Sequence, residues 1–331
     1  DIRSHKPRIS WTVKNTKKLA MMYYTFPLLI ANLFLAGGES VTRDGLRKGI
    51  SDNETMDMGE DENAVMRDAN DVGAVGERAS EKQLSWQPAG GANLFDISVD
   101  YRGNNIWGTD YDDKVWYRAG RNGTWREMGG NCAQISVSGD NNHLWCVDDK
   151  EQIYFRHGKH GRWERKDGSF THVSVNHNGD AVWAVNSRGE VWFREGRYGS
   201  WSKISTNFIA KRLDVSGDGT LIIAVDSDYK NMYYRRGVPG NWISMDGSLY
   251  QISIDDEGGN IWGTSRNHEI NYRNGIKKNW VVESDKREWV AVSGDGKWVW
   301  SVDTNDEVSY RSGYSNDEWK HLSVNETATI G

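Results

Sequence analysis

Tryptophan, arginine and a short polar side chain recur together in this chain at constant spacing. Trp107, Trp145, Trp183, Trp262 and Trp300 are each followed eleven residues later by an arginine: Arg118, Arg156, Arg194, Arg273 and Arg311. If the intervening hairpin turns symmetrically about residues 112–113, Trp107 and Arg118 stand opposite each other on one face of a sheet, and so do the other pairs. A guanidinium beside an indole gains roughly 0.5–2 kcal/mol and holds its donors in a fixed fork. Three residues after the tryptophan come Asp110, Asp148, Asn186 and Asp303, with Asp226 and Ser265 at the corresponding places of the two other units. An apolar ring face flanked by fixed polar groups suits the recognition of a sugar, which has a C–H side and hydroxyls. Trp116, Tyr154, Trp192 and Tyr233 occupy one further position that is Asn271 and Ser309 elsewhere. That variation fits stacking platforms present in some units only, and it equally fits ordinary tolerance of substitution. The repeated Trp, Arg and Asp also have a purely structural reading, in which the arginines tie neighbouring units together.

Other chemistry finds little support. The sequence holds no P-loop, no GxSxG and no HExxH, so no enzyme is expected. His157 and His160 flank a turn without a metal-site pattern. The acidic loops around Asp110, Asp112 and Asp113, and around Asp148 and Asp149, could attract calcium but lack the spacing of an EF-hand, so no cofactor is expected. The two cysteines, Cys132 and Cys146, fall in what read as the first and second strands of one unit; a hairpin centred near Asp140 brings them close enough for a disulfide. Asn53, Asn122 and Asn325 head glycosylation sequons.

These residues are positioned by a repeat. IWG at 106–108 returns as LWC, VWA, IIA, IWG and VWS, with spacings of 38, 38, 40, 39 and 38 residues. A branched apolar triplet precedes each copy, an aromatic-Arg pair follows it, and a tryptophan ends the unit at 125, 163, 201, 242, 280 and 319. Each unit thus holds four strand-like runs separated by Gly/Asp/Asn turns. Four strands per unit of about 40 residues, repeated six times, predict an all-β, six-bladed β-propeller of four-stranded antiparallel blades. Trp86 matches the unit-ending class and makes a seventh copy, so a strand from one terminus is expected to complete the blade of the other. Which terminus does so is not set by the pattern.

The first 82 residues are different. Residues 1–20 carry six basic side chains and one acid, and read as upstream extension with Met21 or Met22 as the start. Residues 21–38 read as a signal peptide: the apolar run Tyr23–Leu35 is 13 residues, short for a membrane span, and Ala36 and Gly38 suit cleavage. A core helix or a signal anchor are the alternatives. Residues 51–72 hold eight acids, one base and no aromatic, so 39–82 is expected to be a disordered acidic propeptide or linker. The propeller is expected over 83–323, with a tail at 324–331. A net charge of −6 argues against nucleic acid as a partner, because that binding depends on phosphate neutralisation.

The pattern ISV…G…IWG(V/T)(D/N)…(V/I)xYRxG…GxW resembles the tectonin repeat of tectonins, fish-egg lectins and tachylectins of that repeat type, over about residues 84–322. The resemblance implies a six-bladed propeller that binds carbohydrate at several sites: a secreted lectin with glycans or bacterial surface polysaccharide as partners. Related repeats also occur in intracellular trafficking scaffolds, which is the alternative. The fourth unit departs from the pattern, with Ile223 for tryptophan and LDV for ISV, and is expected to bind least.

Overall fold

The computed structural model describes residues 85–314. The readings of residues 1–82 and 324–331, Trp319, and the sequons at Asn53 and Asn325 lie outside the described residues. The chain divides into two units, Asp1–Lys82 and Gln83–Gly331.

Among the described residues, twenty-four strands form six four-stranded antiparallel sheets, the six blades of a β-propeller. In the first blade the strands run Asp96–Val99, Asn105–Thr109, Val115–Ala119 and Arg126–Glu127 from the channel outward. Burial follows composition. The inner and second strands carry the branched-apolar triplets and the IWG copies and are buried on both faces; the outer strand Arg126–Glu127 is exposed. Six apolar clusters each join two neighbouring blades, so every blade is sandwiched and the sheet faces are the core.

Ring closure falls to the N-terminal side. Gln87–Asn93 pairs antiparallel with Glu307–Ser312 and supplies the outer strand of the sixth blade. Trp86 accordingly takes the place that Trp125 holds in the first blade, with the Arg311 guanidinium 4.8 Å from its ring.

The inner strands would leave unpaired N–H groups along the channel, as any sheet edge does. Polar side chains of the preceding blade cover them. Asp96 accepts from the N–H of Ile135 at 2.8 Å, Gln134 from Val173 at 2.9 Å and Gln251 from Val290 at 3.2 Å. One layer deeper, Ser98, Ser136, Ser174 and Ser253 accept from Val137, Val175, Val215 and Val292. The central serine of ISV is therefore an inter-blade clamp. In the fourth blade Asp214 does the same for Ile254 at 2.8 Å.

Cys132 and Cys146 are joined by a disulfide with Cα atoms 5.7 Å apart. Cys132 lies in the linker before the inner strand Gln134–Val137, not within it. In the first blade the same contact is Leu94 on Gly108, where a Cβ would come within 2.4 Å of Leu94 Cδ1, and in the fifth it is Leu249 on Gly263. A large linker residue meets a small strand residue at each of these contacts, and the second blade replaces that packing with a covalent bond. The bridge spans a sequence separation of 14. Replacing both cysteines by alanine is expected to lower the unfolding free energy by about 2–3 kcal/mol, from lost loop-closure entropy. Urea unfolding followed by tryptophan fluorescence checks this; an unchanged midpoint contradicts it.

Candidate binding face around the channel

The expected open indole–guanidinium surfaces are absent, and register is the reason. Trp107 pairs with Tyr117, and Arg118 pairs with Ile106. The hairpin turns about residue 112 and not between 112 and 113. A shift of one residue sends Trp107 and Arg118 to opposite faces of the sheet. Trp107, Trp145, Trp183, Trp262 and Trp300 are fully buried. Arg118, Arg156, Arg194, Arg273 and Arg311 are 4–7% exposed. As carbohydrate contacts these ten residues are corrected: the indoles are sealed, and the guanidinium groups are taken up by stacking and hydrogen bonds.

Each arginine instead crosses to the blade before it. Arg156 lies 5.5 Å from the Trp107 ring and 5.6 Å from that of Trp163; Arg194 repeats this with Trp145 and Trp201, and Arg311 with Trp262 and Trp86. The following glycine completes the motif. Gly158 has φ 56°, which aims its carbonyl back to accept from Arg156 Nε at 3.2 Å. Arg156 Nη1 donates to Met128 O at 3.0 Å in the linker between the blades, and Nη2 to Lys159 O. Burial draws the pKa of Arg118, Arg156 and Arg235 below the usual guanidinium value. Ile223 is therefore felt one blade later than the sequence suggested. Arg235 keeps Trp183 and Trp242, whereas Arg273 stacks on Trp280 without a tryptophan from the fourth blade and pairs with Asp246 at 2.7 Å. The expectation that the fourth blade is weakest, which rested on a tryptophan opposite Arg235, loses its geometric basis.

The short polar residues after each tryptophan organise the hairpin turn. Asp110 Oδ1 accepts from the N–H of Asp112 and Lys114, at 2.9 and 3.0 Å. Asp148, Asn186, Ser265 and Asp303 accept in the same pattern, and Asp226, in a turn one residue longer, accepts from Lys230 and Asn231. Three residues on, the chain takes φ between 55° and 74°: Asp113, Glu151, Gly189, Tyr229, His268 and Asp306. These bonds account for Oδ1. The other oxygen faces the third strand, where Trp116 Nε1 donates to Asp110 Oδ2 at 2.9 Å and Tyr154 Oη to Asp148 Oδ2 at 3.2 Å. Trp116, Tyr154, Trp192 and Tyr233 are all partly exposed. They pack on linker residues: Trp192 lies 6.4 Å from Phe170, and Tyr233 stacks on Phe208 at 3.9 Å. Asn122 is exposed in the turn before the first blade's outer strand. Among the described residues, no three His, Cys, Asp or Glu side chains are grouped to hold a metal ion. No described helix is long and apolar enough to cross a membrane.

The channel opens on this same face, because Asp96 pairs with Thr109 beside the hairpin turn. Its mouth is not sixfold. The inner strands begin with Asp96, Gln134, His172, Gln251 and Trp289 in five blades, and in the fourth Arg212 lines the same layer. Burial pushes the Asp96 carboxyl up to about 7, although the Ile135 N–H and Arg212 favour its charged form. Burial also holds His172 down to about 3, so it is neutral, with Nε2 2.8 Å from Leu213 O. Arg212 lies 4.6 Å from the Tyr250 ring and 4.4 Å from the Trp289 ring. At the opposite mouth His177 Nδ1 meets Asp256 Oδ2, with Tyr101 edge-on to the imidazole. Sequence reasoning missed the channel residues. The signal was present as a break in the repeat: R-L-D-V and W-V-A-V where the other blades read X-(I/V)-S-(V/I).

The sequence pattern of the Tectonin domain matches residues 53–200 and 180–322. No curated protein matches the chain significantly. Among solved structures, the fold is similar to a structural-genomics protein of unknown function from Bacteroides thetaiotaomicron, at 10% identity and TM-score 0.51, covering 69% of this chain and 72% of that one. Hydrazine synthase from Kuenenia stuttgartiensis aligns at 12% identity and TM-score 0.49, over 72% of this chain and 99% of that one. At such identities the likeness concerns the fold alone.

Proposed function

The chain belongs to the Tectonin-domain family, and from that premise we propose that it is a carbohydrate-binding protein that recognises glycans on microbial or cell surfaces through repeated sites, with no catalytic step. The observation that carries this reading is the set of partly exposed aromatics on one face of the ring: Trp116, Tyr154, Trp192 and Tyr233, each beside a hairpin turn. An aromatic ring next to a fixed turn carboxylate offers both halves of a sugar contact, as at Trp116–Asp110; the equivalent Asp148 is buried and holds the Tyr154 hydroxyl. Several weak sites on one face bind dense glycans by avidity, about 10²–10⁴ beyond a single site where the geometry allows. The Cys132–Cys146 disulfide supports an extracellular location, because such bonds persist in oxidising compartments. N-terminal sequencing of the mature protein checks cleavage after Gly38.

The test is the full chain on an array of neutral and acidic glycans and bacterial polysaccharides. Binding is expected, and Trp116→Ala combined with Tyr154→Ala is expected to weaken it at least tenfold while the fold persists. A blank array sinks the proposal; undiminished binding by the double variant moves the site elsewhere.

A further inference from the structure

Arg212 has no counterpart in the other five blades. Asp96, Gln134, His172 and Gln251 each bond the backbone of the next inner strand, and Trp289 is a packed ring. Arg212 bonds no backbone, since Asp214 already serves the next strand. It is 8% exposed, donates from Nη2 to Tyr250 Oη at 3.2 Å, and leaves Nε sealed without a partner. It has no ion pair with any described carboxylate. Asp96 acts on it through space without touching it; burying a cation with no counter-ion in contact is costly, and neutral amides do the structural work at two of the equivalent positions. Stacking on Tyr250 and Trp289 offsets part of that cost and fixes the plane of the guanidinium.

We infer that Arg212 docks the carboxylate of a sugar acid entering the channel from the hairpin-turn face. The surroundings suit the rest of such a ligand. With Nε2 bonded to Leu213 O, neutral His172 presents Nδ1 as an acceptor for a hydroxyl. Trp289 lines the channel and is backed by Phe95, Tyr250 and Tyr229, a run of neighbouring rings with centroids 5.6, 6.1 and 4.8 Å apart in turn. The Trp289 ring offers an apolar face and Gln134, His172 and Gln251 offer polar groups in the same layer, as a sugar ring requires, and the guanidinium supplies a bidentate match to the carboxylate.

This inference rests on the glycan-binding reading but is tested apart from it. Calorimetry on the full chain compares glucuronate, its methyl ester, glucose and acetate. Glucuronate is expected to bind at least tenfold more tightly than the ester, glucose or acetate. Arg212→Met is expected to abolish that preference and Arg212→Lys to retain part of it. Equal binding of acid and ester overturns the inference without any variant, as does acetate binding as tightly as glucuronate, or a preference that survives Arg212→Met. A blank neutral-glycan array beside an Arg212-dependent acid preference would remove the broader reading and leave this one standing.

Discussion

Replacing Arg156 by alanine is expected to lower the unfolding free energy by about 3–5 kcal/mol, because three charge-assisted hydrogen bonds and a cation–π sandwich are lost together. The guanidinium satisfies the carbonyls of Gly158, Lys159 and Met128 and fills the space between Trp107 and Trp163. Alanine leaves those carbonyls without their donor and opens a cavity at the joint between the first two blades. Lysine restores the charge but not the fork, so Arg156→Lys is expected to fall in between. Urea unfolding followed by tryptophan fluorescence gives the values; a loss below about 1 kcal/mol would mean that the joint does not depend on this arginine.

Asp96→Asn is expected to stabilise the protein at pH 8 and to change little at pH 4.5. The folded carboxyl titrates near 7 because burial outweighs the Ile135 N–H and Arg212, against an ordinary value of 3.8. Between those values the folded protein keeps a proton that the unfolded chain has released. The associated stability is present below about pH 4 and is lost as pH rises through about 7. The full span corresponds to roughly 4 kcal/mol. The other charged or titratable groups facing the channel are Arg212, His172 and Asp214 near this end, and Tyr101, His177 and Asp256 at the far mouth. Asp214, raised to about 6 by burial, slopes in the same direction. His172, held near 3 against 6.5, slopes in the opposite one. Two carboxyls outweigh one imidazole, so the wild type is expected to lose stability between pH 4.5 and 7. Asparagine still accepts the Ile135 N–H and flattens that slope. Urea midpoints at four pH values decide it; parallel curves for the two proteins sink the assignment.

The architecture was legible because each blade is a local pattern. Branched triplets, turn glycines and the aromatic-Arg-x-Gly motif specify strands and hairpins within about 40 residues, and a pattern copied six times can bury its apolar faces only against its own neighbours. Ring closure was legible as a surplus tryptophan, Trp86, though not which terminus would use it. The location of the recognition surface was not legible. Repetition marked Trp107 and Arg118 as important, and they are, but as the inter-blade joint. The one-residue difference between turning about 112 and turning between 112 and 113 decides which face each side chain takes. Local sequence carries little information on that choice, because both faces of a propeller blade are buried and no polar alternation favours either register.

The chain's own pattern thus determined strand order, blade number and the residues on which every blade depends. Tertiary structure alone decided what stays open to a ligand. Closing the ring places each sheet face against another sheet and seals whatever repeats, while the channel gathers six inner strands whose first residues differ. Asp96, His172, Arg212 and Trp289 are between 40 and 193 residues apart in the chain and meet only at that mouth. Their departures from the repeat become chemistry once the circle is complete.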